Sequence, residues 1–462
     1  MFICNAFIVM MTLSFTLLLR KRIFWISVIS VMWIILGVTN GVLVATRVTP
    51  LTASDFRLID SAFSIMDKYF SIWQIILVVI GVIAALAVLV LLFFRAPKVD
   101  HKIKYGRNIV AIVLIWVIGM GAINLGIASG LINKKFGNLR DSYFKYGFAY
   151  CFTNSVLNTG IQKPKNYSAS SIKKIVDEEE SQATEATEKT PNIIFLQLES
   201  FFDITDLNDV TVNEDPIPNY HRLFDTCSSG FLSVPSVGAG TANTEFEILT
   251  GMNLDFFGCG EYPYQTVLRE QTCESLPYCY DNIGYTSHAI HNNSATFYNR
   301  NMVFSRLGFD TFTSMEYMYN LTYTPENWAK DKVLTTNIIE AMESTDTSDF
   351  IYTISVQGHG AYPTEEVLKD PHIKVTLKED DEARQNQLTY YANQIYEMDL
   401  FVAELTRQLK DFNEPCILVM YGDHLPSLGI EETDMNQGNL FTTKYILWSN
   451  FQMEKQDKNV EA

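Results

Sequence analysis

Acidic residues are nearly missing from one end of this 462-residue chain. Before residue 133 the only ones are Asp55, Asp60, Asp67 and Asp100. An ordinary solvated domain is thereby excluded from the first third. Basic residues are scarce over the whole chain: 35 Lys and Arg against 52 Asp and Glu leave a net charge of −17. A surface of that sign argues against a nucleic-acid partner. Cysteine is also sparse, at seven, too few and too scattered for a disulfide framework. There is no internal repeat. No small-residue cleavage site follows the first apolar run, so that run reads as a membrane span and not as a removable leader.

Long apolar runs fill the space the charges leave: Phe2–Leu19, Phe24–Ala45, Ile72–Phe94 and Ile109–Ile132. Each approaches the roughly 20 residues that cross a bilayer as helix. Lipid offers the backbone no hydrogen bonds, so helix is the form expected of all four. Basic residues set the orientation. Arg20, Lys21 and Arg22 follow the first run, and Arg95, Lys98, Lys102, Lys104 and Arg107 follow the third. Both loops are expected on the cytoplasmic side. The fourth run then ends outside, and everything beyond about residue 133 is expected to be extracytoplasmic. Lys134, Lys135 and Arg140 precede a large translocated domain, where charge counts less. Five cysteines (Cys227, Cys259, Cys273, Cys279 and Cys416) fall outside, an odd number. A small loop closed by Cys273 and Cys279 and a set of free thiols are both compatible with that count.

The organisation expected is therefore 1–132 as membrane helices, 133–190 as juxtamembrane helix and polar linker, and 191–462 as an extracellular domain. Aromatics in 133–160 (Tyr143, Phe144, Tyr146, Phe148, Tyr150) suit a helix at the interface. The stretch 162–190 has linker composition, charged and poor in aromatics. From Pro191 the pattern changes. The segments at 192–200, 284–291, 350–360 and 416–424 are short, β-branched and apolar, and read as buried strands. Residues 241–252 and 388–409 read as helices. Strands alternating with helices predict an α/β fold with a mostly parallel sheet.

Chemistry gathers at the predicted strand ends. Glu199 closes the first strand, His359 the third and Asp423-His424 the last. In open α/β sheets, sites form at the carboxyl ends of strands, so these residues are expected on one rim. Two carboxylates and an imidazole suit a divalent cation such as Mn²⁺, Mg²⁺ or Zn²⁺. Thr241 opens a helix after Gly238 and Gly240. Its hydroxyl is either the nucleophile, favoured by the helix N-terminus, or a simple N-cap in a capping box with Thr244 or Glu245. The third glycine of a dinucleotide fingerprint is missing there. Arg300 offers a fork of donors matched to phosphate. Its ordinary alternative is a surface arginine on the aromatic ledge made by Tyr298. His359 lies between two glycines, where an imidazole can approach a substrate closely.

Five motifs in order, N-I-I-F-L-Q-L-E-S, G-T-A-N-T-E-F, T-F-Y-N-R, G-H-G and Y-G-D-H, resemble the lipoteichoic acid synthase branch of the sulfatase and alkaline-phosphatase-like superfamily. The resemblance runs from about Pro191 to Asn450. It implies membrane helices followed by an extracellular α/β sulfatase-like domain holding one Mn²⁺-like cation. Glu199, Thr241, Asp423 and His424 match the metal ligands, with Thr241 also the nucleophile. His359 and Arg300 match substrate-contacting positions, and Tyr298 stands where relatives often carry Trp. The implied activity moves glycerophosphate from phosphatidylglycerol, through a phospho-threonine, to a glycolipid, a teichoic-acid chain or a glycan.

Two departures from that family pattern stand out. Relatives usually have five spans where four are counted here, and they continue beyond the strand at Tyr445–Phe451. Both departures lead to the expectation of a truncated reading frame. The alternatives are a phosphoethanolamine transferase, which also uses Thr, a sulfatase, and a truncated non-catalytic membrane protein. A sulfatase needs Cys or Ser in a C/S-x-P-x-R motif, and Thr241-Ala-Asn-Thr-Glu is not one.

Overall fold

The structure is a computed structural model and describes residues 1–462 apart from 48, 60–65, 67–69, 101, 134–135, 137–138, 162–165, 181–189 and 462. The chain divides into two units. One holds Met1–Thr159 with Gly258–Glu261, and the other holds Gly160–Phe257 with Tyr262–Ala462.

The first unit is helical. Its elements are α1 (Phe2–Ser14), α2 (Arg22–Arg47), α3 (Ile72–Arg95), α4 (Tyr105–Ala128), α5 (Leu139–Tyr146) and α6 (Phe148–Leu157). Among the described residues three helices are long and apolar enough to cross a membrane: Arg22–Ala45, Ile72–Arg95 and Tyr105–Ala128. Of the four runs expected to span, the first forms a shorter apolar helix, Phe2–Leu18. There the helix stops at Ser14 and tightens into a 3₁₀ turn, Phe15–Leu18. The Ser14 and Thr16 hydroxyls donate to the Met11 and Leu13 carbonyls at 2.6 and 2.7 Å. Hydroxyls bonding back to the preceding turn bend helices, and Arg20-Lys21-Arg22 end the apolar stretch directly after.

The single juxtamembrane helix expected at 133–160 is two helices, α5 and α6. They break at Gly147, whose φ of 88° is left-handed. Lys134 and Lys135 lie outside the described residues. Within the expected linker, Ala169–Glu180 forms α7, while 162–165 and 181–189 lie outside the described residues.

The second unit continues through β1 (Asn192–Leu198), β2 (Val210–Val212), α8 (Pro218–Thr226), β3 (Ser228–Ser233), α9 (Thr241–Thr250), α10 (Leu276–Asp281) and β4 (Thr286–His291). It goes on with α11 (Arg300–Arg306), β5 (Thr311–Ser314), α12 (Val333–Glu343), β6 (Asp349–Ile354), β7 (Val375–Leu377), α13 (Glu382–Lys410), β8 (Cys416–Gly422), β9 (Thr442–Ser449) and β10 (Val460–Glu461).

Eight strands form one sheet in the order β10-β3-β9-β8-β1-β6-β4-β5, and β2 pairs with β7 apart from it. Every pair in the eight-stranded sheet is parallel except those made by β9 with β3 and β8. The polar tail after Tyr445–Phe451 returns to this sheet, because β10 pairs with β3. The fold class expected from the sequence, apolar N-terminal helices followed by an α/β domain with a mostly parallel sheet, is the one observed.

Burial explains why β1 and β8 sit centrally. Ile194, Leu196, Leu198, Leu418 and Met420 are fully buried. They pack with Ile338 of α12 and with Tyr391, Ile395 and Val402 of α13. These alternate strand residues share one face of the sheet, and Ile193, Phe195, Ile417 and Val419 between them are half-buried, so both strands read as nearly continuous apolar runs. Cys273 and Cys279 are not joined by a disulfide, so the small loop between them is not closed.

Candidate active site

Parallel pairing of β8, β1, β6 and β4 brings their carboxyl ends to one edge. Glu199 follows β1, and Asp423-His424 follow β8, in the neighbouring strand. Ligand atoms of Glu199, Asp423 and His424 lie within 4.8 Å of one another, and all three residues are buried.

Hydrogen bonds hold this cluster in one arrangement. Asp423 Oδ1 accepts the backbone N–H groups of Ser200 at 2.7 Å and His424 at 2.8 Å. Glu199 Oε1 accepts the Ser200 hydroxyl at 2.9 Å. His424 Nδ1 lies 2.9 Å from the Leu425 carbonyl, which can only accept, so the ring carries its proton there. Its other nitrogen, Nε2, faces the carboxylates, 3.4 Å from Asp423 Oδ2 and 3.7 Å from Glu199 Oε1. A metal-binding imidazole is oriented in just this way by a carbonyl on its far nitrogen.

Thr241 completes the cluster. It is the first residue of α9, and Gly240 before it takes a left-handed φ of 106°. A side chain at Gly240 would meet Ser236 Oγ at 2.5 Å. The capping-box alternative is therefore not formed. Gly240 occupies the N-cap position, and no side chain caps the helix. The Thr241 hydroxyl donates instead to Glu199 Oε2 at 2.9 Å and lies 3.4 Å from His424 Nε2. Thr244, one turn on, donates to the Asp423 carbonyl at 2.8 Å and ties the helix to the strand end.

The electrostatics of the pair of acids are those of a site lacking positive charge. Burial and then the neighbouring Glu199 charge push the Asp423 carboxyl well above the ordinary range. Burial also raises Glu199, but His359, His424 and the hydrogen bonds from Ser200 and Thr241 outweigh it and leave that carboxyl low. Asp423 Oδ2 is buried with no hydrogen-bond partner. An orphaned carboxyl oxygen beside a second carboxyl group, an imidazole nitrogen and a hydroxyl fits a divalent cation, whose charge would relieve the repulsion.

A second group lies across the rim. His359 is not at the end of β6 as expected but five residues beyond Ile354, in a loop. Asp331 Oδ1 holds that loop by accepting the N–H groups of Val356 and Gln357 at 3.0 and 3.1 Å. Gly358 permits its close approach to β1, since a Cβ there would sit 2.1 Å from the Glu199 carbonyl oxygen. The His359 ring packs against Trp328 with centroids 4.3 Å apart.

Arg300 is the first residue of α11 and only 1% exposed, so it is no surface arginine. Its Nε donates to Glu245 Oε2 at 3.1 Å, and its Nη2 donates to Glu245 Oε1. Its guanidinium carbon lies 5.1 Å from the Tyr298 ring centroid. Tyr298 in turn stacks on Tyr262, with centroids 5.9 Å apart and planes 18° apart.

Sequence reasoning missed His291, the last residue of β4. Its Nδ1 donates to the Ile354 carbonyl at 2.9 Å, and its Nε2 is buried without a partner. Burial and then the Arg300 charge hold its pKa well below the usual imidazole value. The strand-end rule that found Glu199 would also have found His291. Glu245 and Tyr262 carried no such signal.

A family model for sulfatases matches residues 191–462. The chain belongs to the sulfatase family. A protein of Rhizobium meliloti (strain 1021), provisionally named for cyclic beta-1,2-glucan modification, is 32% identical over 77% of this chain and 56% of its own length. The lipoteichoic acid synthase of Staphylococcus saprophyticus is 24% identical over 73% of this chain and 53% of its own length. The chain thus spans about half the length of these relatives.

Among solved structures, the Streptococcus pyogenes phosphoglycerol transferase GacH, in complex with sn-glycerol-1-phosphate, is 27% identical. It superposes with a TM-score of 0.58 over 65% of this chain and 81% of its own. The Neisseria meningitidis phosphoethanolamine transferase EptA shares 13% identity at a TM-score of 0.53. It covers 96% of this chain and 88% of its own, a likeness of fold alone.

Proposed function

We propose that this chain is a membrane-anchored transferase that moves glycerophosphate from phosphatidylglycerol to a cell-envelope polymer or glycan, with Thr241 as nucleophile. The observation that carries the reading is the Thr241 hydroxyl, 2.9 Å from Glu199 Oε2 inside the buried Glu199, Asp423 and His424 cluster. The likeness to GacH, a phosphoglycerol transferase, supports the phosphoglycerol donor. The Rhizobium relative's name favours a glycan acceptor, and the Staphylococcus relative's name a teichoic-acid chain. The basic residues Arg20, Lys21 and Arg22 support a reading in which the catalytic unit lies outside the cell.

Phosphoryl transfer demands charge neutralisation and in-line positioning more than covalent help. Glu199, Asp423, His424 and the Thr241 oxygen would hold a divalent cation, Mn²⁺ in our reading with Mg²⁺ or Zn²⁺ as alternatives, which would supply positive charge and favour ionisation of the hydroxyl. Thr241 Oγ forms a bond to phosphorus as the bond from phosphorus to the diacylglycerol oxygen breaks. The threonine proton leaves along the existing hydrogen bond to Glu199 Oε2, and the departing oxygen gains a proton. In the second half an acceptor oxygen forms a bond to the same phosphorus as the bond from phosphorus to Thr241 Oγ breaks, and the acceptor's proton passes to Thr241 Oγ. The covalent step divides one hard displacement into two easier ones. Arg300 and His359 contact the phosphate, and Tyr298 lines the headgroup side.

The test is diacylglycerol release from fluorescent phosphatidylglycerol by the full chain in detergent with Mn²⁺. Release by wild type and none by Thr241→Ala is the expected result. Release from a phosphatidylethanolamine donor in place of phosphatidylglycerol would transfer the reading to the phosphoethanolamine transferases.

A further inference from the structure

Arg300 presents a packing problem. A guanidinium 1% exposed must be neutralised or it is expensive to bury. Glu245, itself fully buried, neutralises it through two parallel hydrogen bonds from Nε and Nη2. The third nitrogen, Nη1, is buried and has no hydrogen-bond partner. A guanidinium is planar and rigid, so fixing two nitrogens fixes the direction of the third.

Glu245 also lies on α9 four residues after Thr241. Residues at that spacing stand one turn apart on the same helix face. The helix that begins with the proposed nucleophile thus carries the anchor of the arginine.

We propose that Glu245 is a positioning residue, which clamps the Arg300 fork so that Nη1 is the donor offered to the substrate phosphate at a fixed place relative to Thr241 Oγ. This rests on the reading above in which Arg300 contacts phosphate. Because Glu245 cancels its charge, Arg300 then contributes a directed donor and not net charge. Neutralisation of the phosphate falls to the opposite side of the site.

The experiment uses the full chain in detergent with Mn²⁺ and inorganic phosphate as probe. Phosphate affinity is read from its stabilisation of the fold, and Mn²⁺ binding is read separately. Arg300→Gln and Glu245→Gln should each weaken phosphate about 10- to 100-fold, the range of one charge-assisted hydrogen bond, with Mn²⁺ binding retained. The double variant should bind phosphate no worse than Arg300→Gln, because Glu245 acts only through that arginine. Glu245→Asp keeps the ion pair but draws the carboxylate back, and should fall between wild type and Glu245→Gln. It is also the deciding variant if Glu245→Gln does not fold.

Phosphate affinity of either Glu245 variant within about twofold of wild type, while Arg300→Gln is weakened, overturns the inference and leaves the proposed function standing. Unchanged affinity in Arg300→Gln overturns the phosphate role of Arg300 and the inference with it.

Discussion

The two sides of the rim are built on opposite plans. On one side Glu199, Asp423 and His424 crowd two carboxyl groups and an imidazole together, and the orphaned atom is an acceptor, Asp423 Oδ2. On the other, Arg300 is already neutralised by Glu245, and the orphaned atoms are a donor, Arg300 Nη1, and an imidazole nitrogen, His291 Nε2. The first side lacks positive charge, and the second lacks a polar ligand. A phosphate ester bridged between a cation and an arginine fork would satisfy both. The comparison separates two kinds of defect, loss of charge compensation and loss of direction.

The largest break in that comparison is Asp423→Asn. Its amide oxygen can still accept the two backbone N–H groups, while the charge that Glu199 opposes is gone. We expect the metal-free protein to be at least as heat-stable as wild type, with Mn²⁺ affinity lowered about 100-fold or more. The same reasoning fixes the pH dependence. Because the Asp423 carboxyl is held high, a cation must displace its proton, and Mn²⁺ affinity in the wild type should fall as pH is lowered. Titrations at several pH values check both statements. A pH-independent Mn²⁺ affinity would deny that Asp423 is a ligand.

Arg300→Lys keeps a cation but not the fork. A lysine cannot hold Glu245 and direct a second donor in the same geometry. Turnover should fall about 10²-fold, the scale of losing one preorganised donor, with Mn²⁺ binding intact. A loss of Mn²⁺ binding would blur the division between the two sides.

The smallest effect lies away from the rim. His221 of α8 hydrogen-bonds Asp203 at 2.7 Å and Asp215 at 2.9 Å. The Asp203 bond lifts its pKa to about 9 from 6.5, against the opposing effect of burial. A group raised in the folded state stabilises fully below the unfolded value and loses that stabilisation as pH rises. Wild-type stability should therefore decline between pH 6.5 and about 9 relative to His221→Gln. With the side chain 31% exposed, the decline should be on the order of 1–2 kcal/mol after solvent screening. Activity at fixed pH should be unaffected.

Much of the first side was legible in the sequence, and much less of the second. Glu199, Asp423 and His424 each end an apolar strand, so strand periodicity alone puts them on a rim. Thr241 was legible as a helix start, but its choice of Glu199 over a capping box depends on Gly240, whose left-handed backbone moves the cap back by one residue. His359 was placed at a strand end and lies in a loop, because Asp331, distant in sequence, gathers the N–H groups that would otherwise continue β6. The Glu245 to Arg300 clamp and the Tyr262 to Tyr298 stack join segments far apart in the chain, which no local pattern encodes. In the other unit, hydropathy found the apolar runs but not the early stop of the first. That stop comes from two hydroxyls and a basic triplet and not from a loss of apolar character.

The central claim is that phosphorus passes through Thr241. The most direct measurement is mass spectrometry of peptides from the full chain after incubation with Mn²⁺ and phosphatidylglycerol, with no acceptor added. A glycerophosphate adduct on Thr241, discharged when an acceptor is supplied, is the predicted result. Diacylglycerol release with Thr241 unmodified, or with the adduct on another residue, would contradict the account.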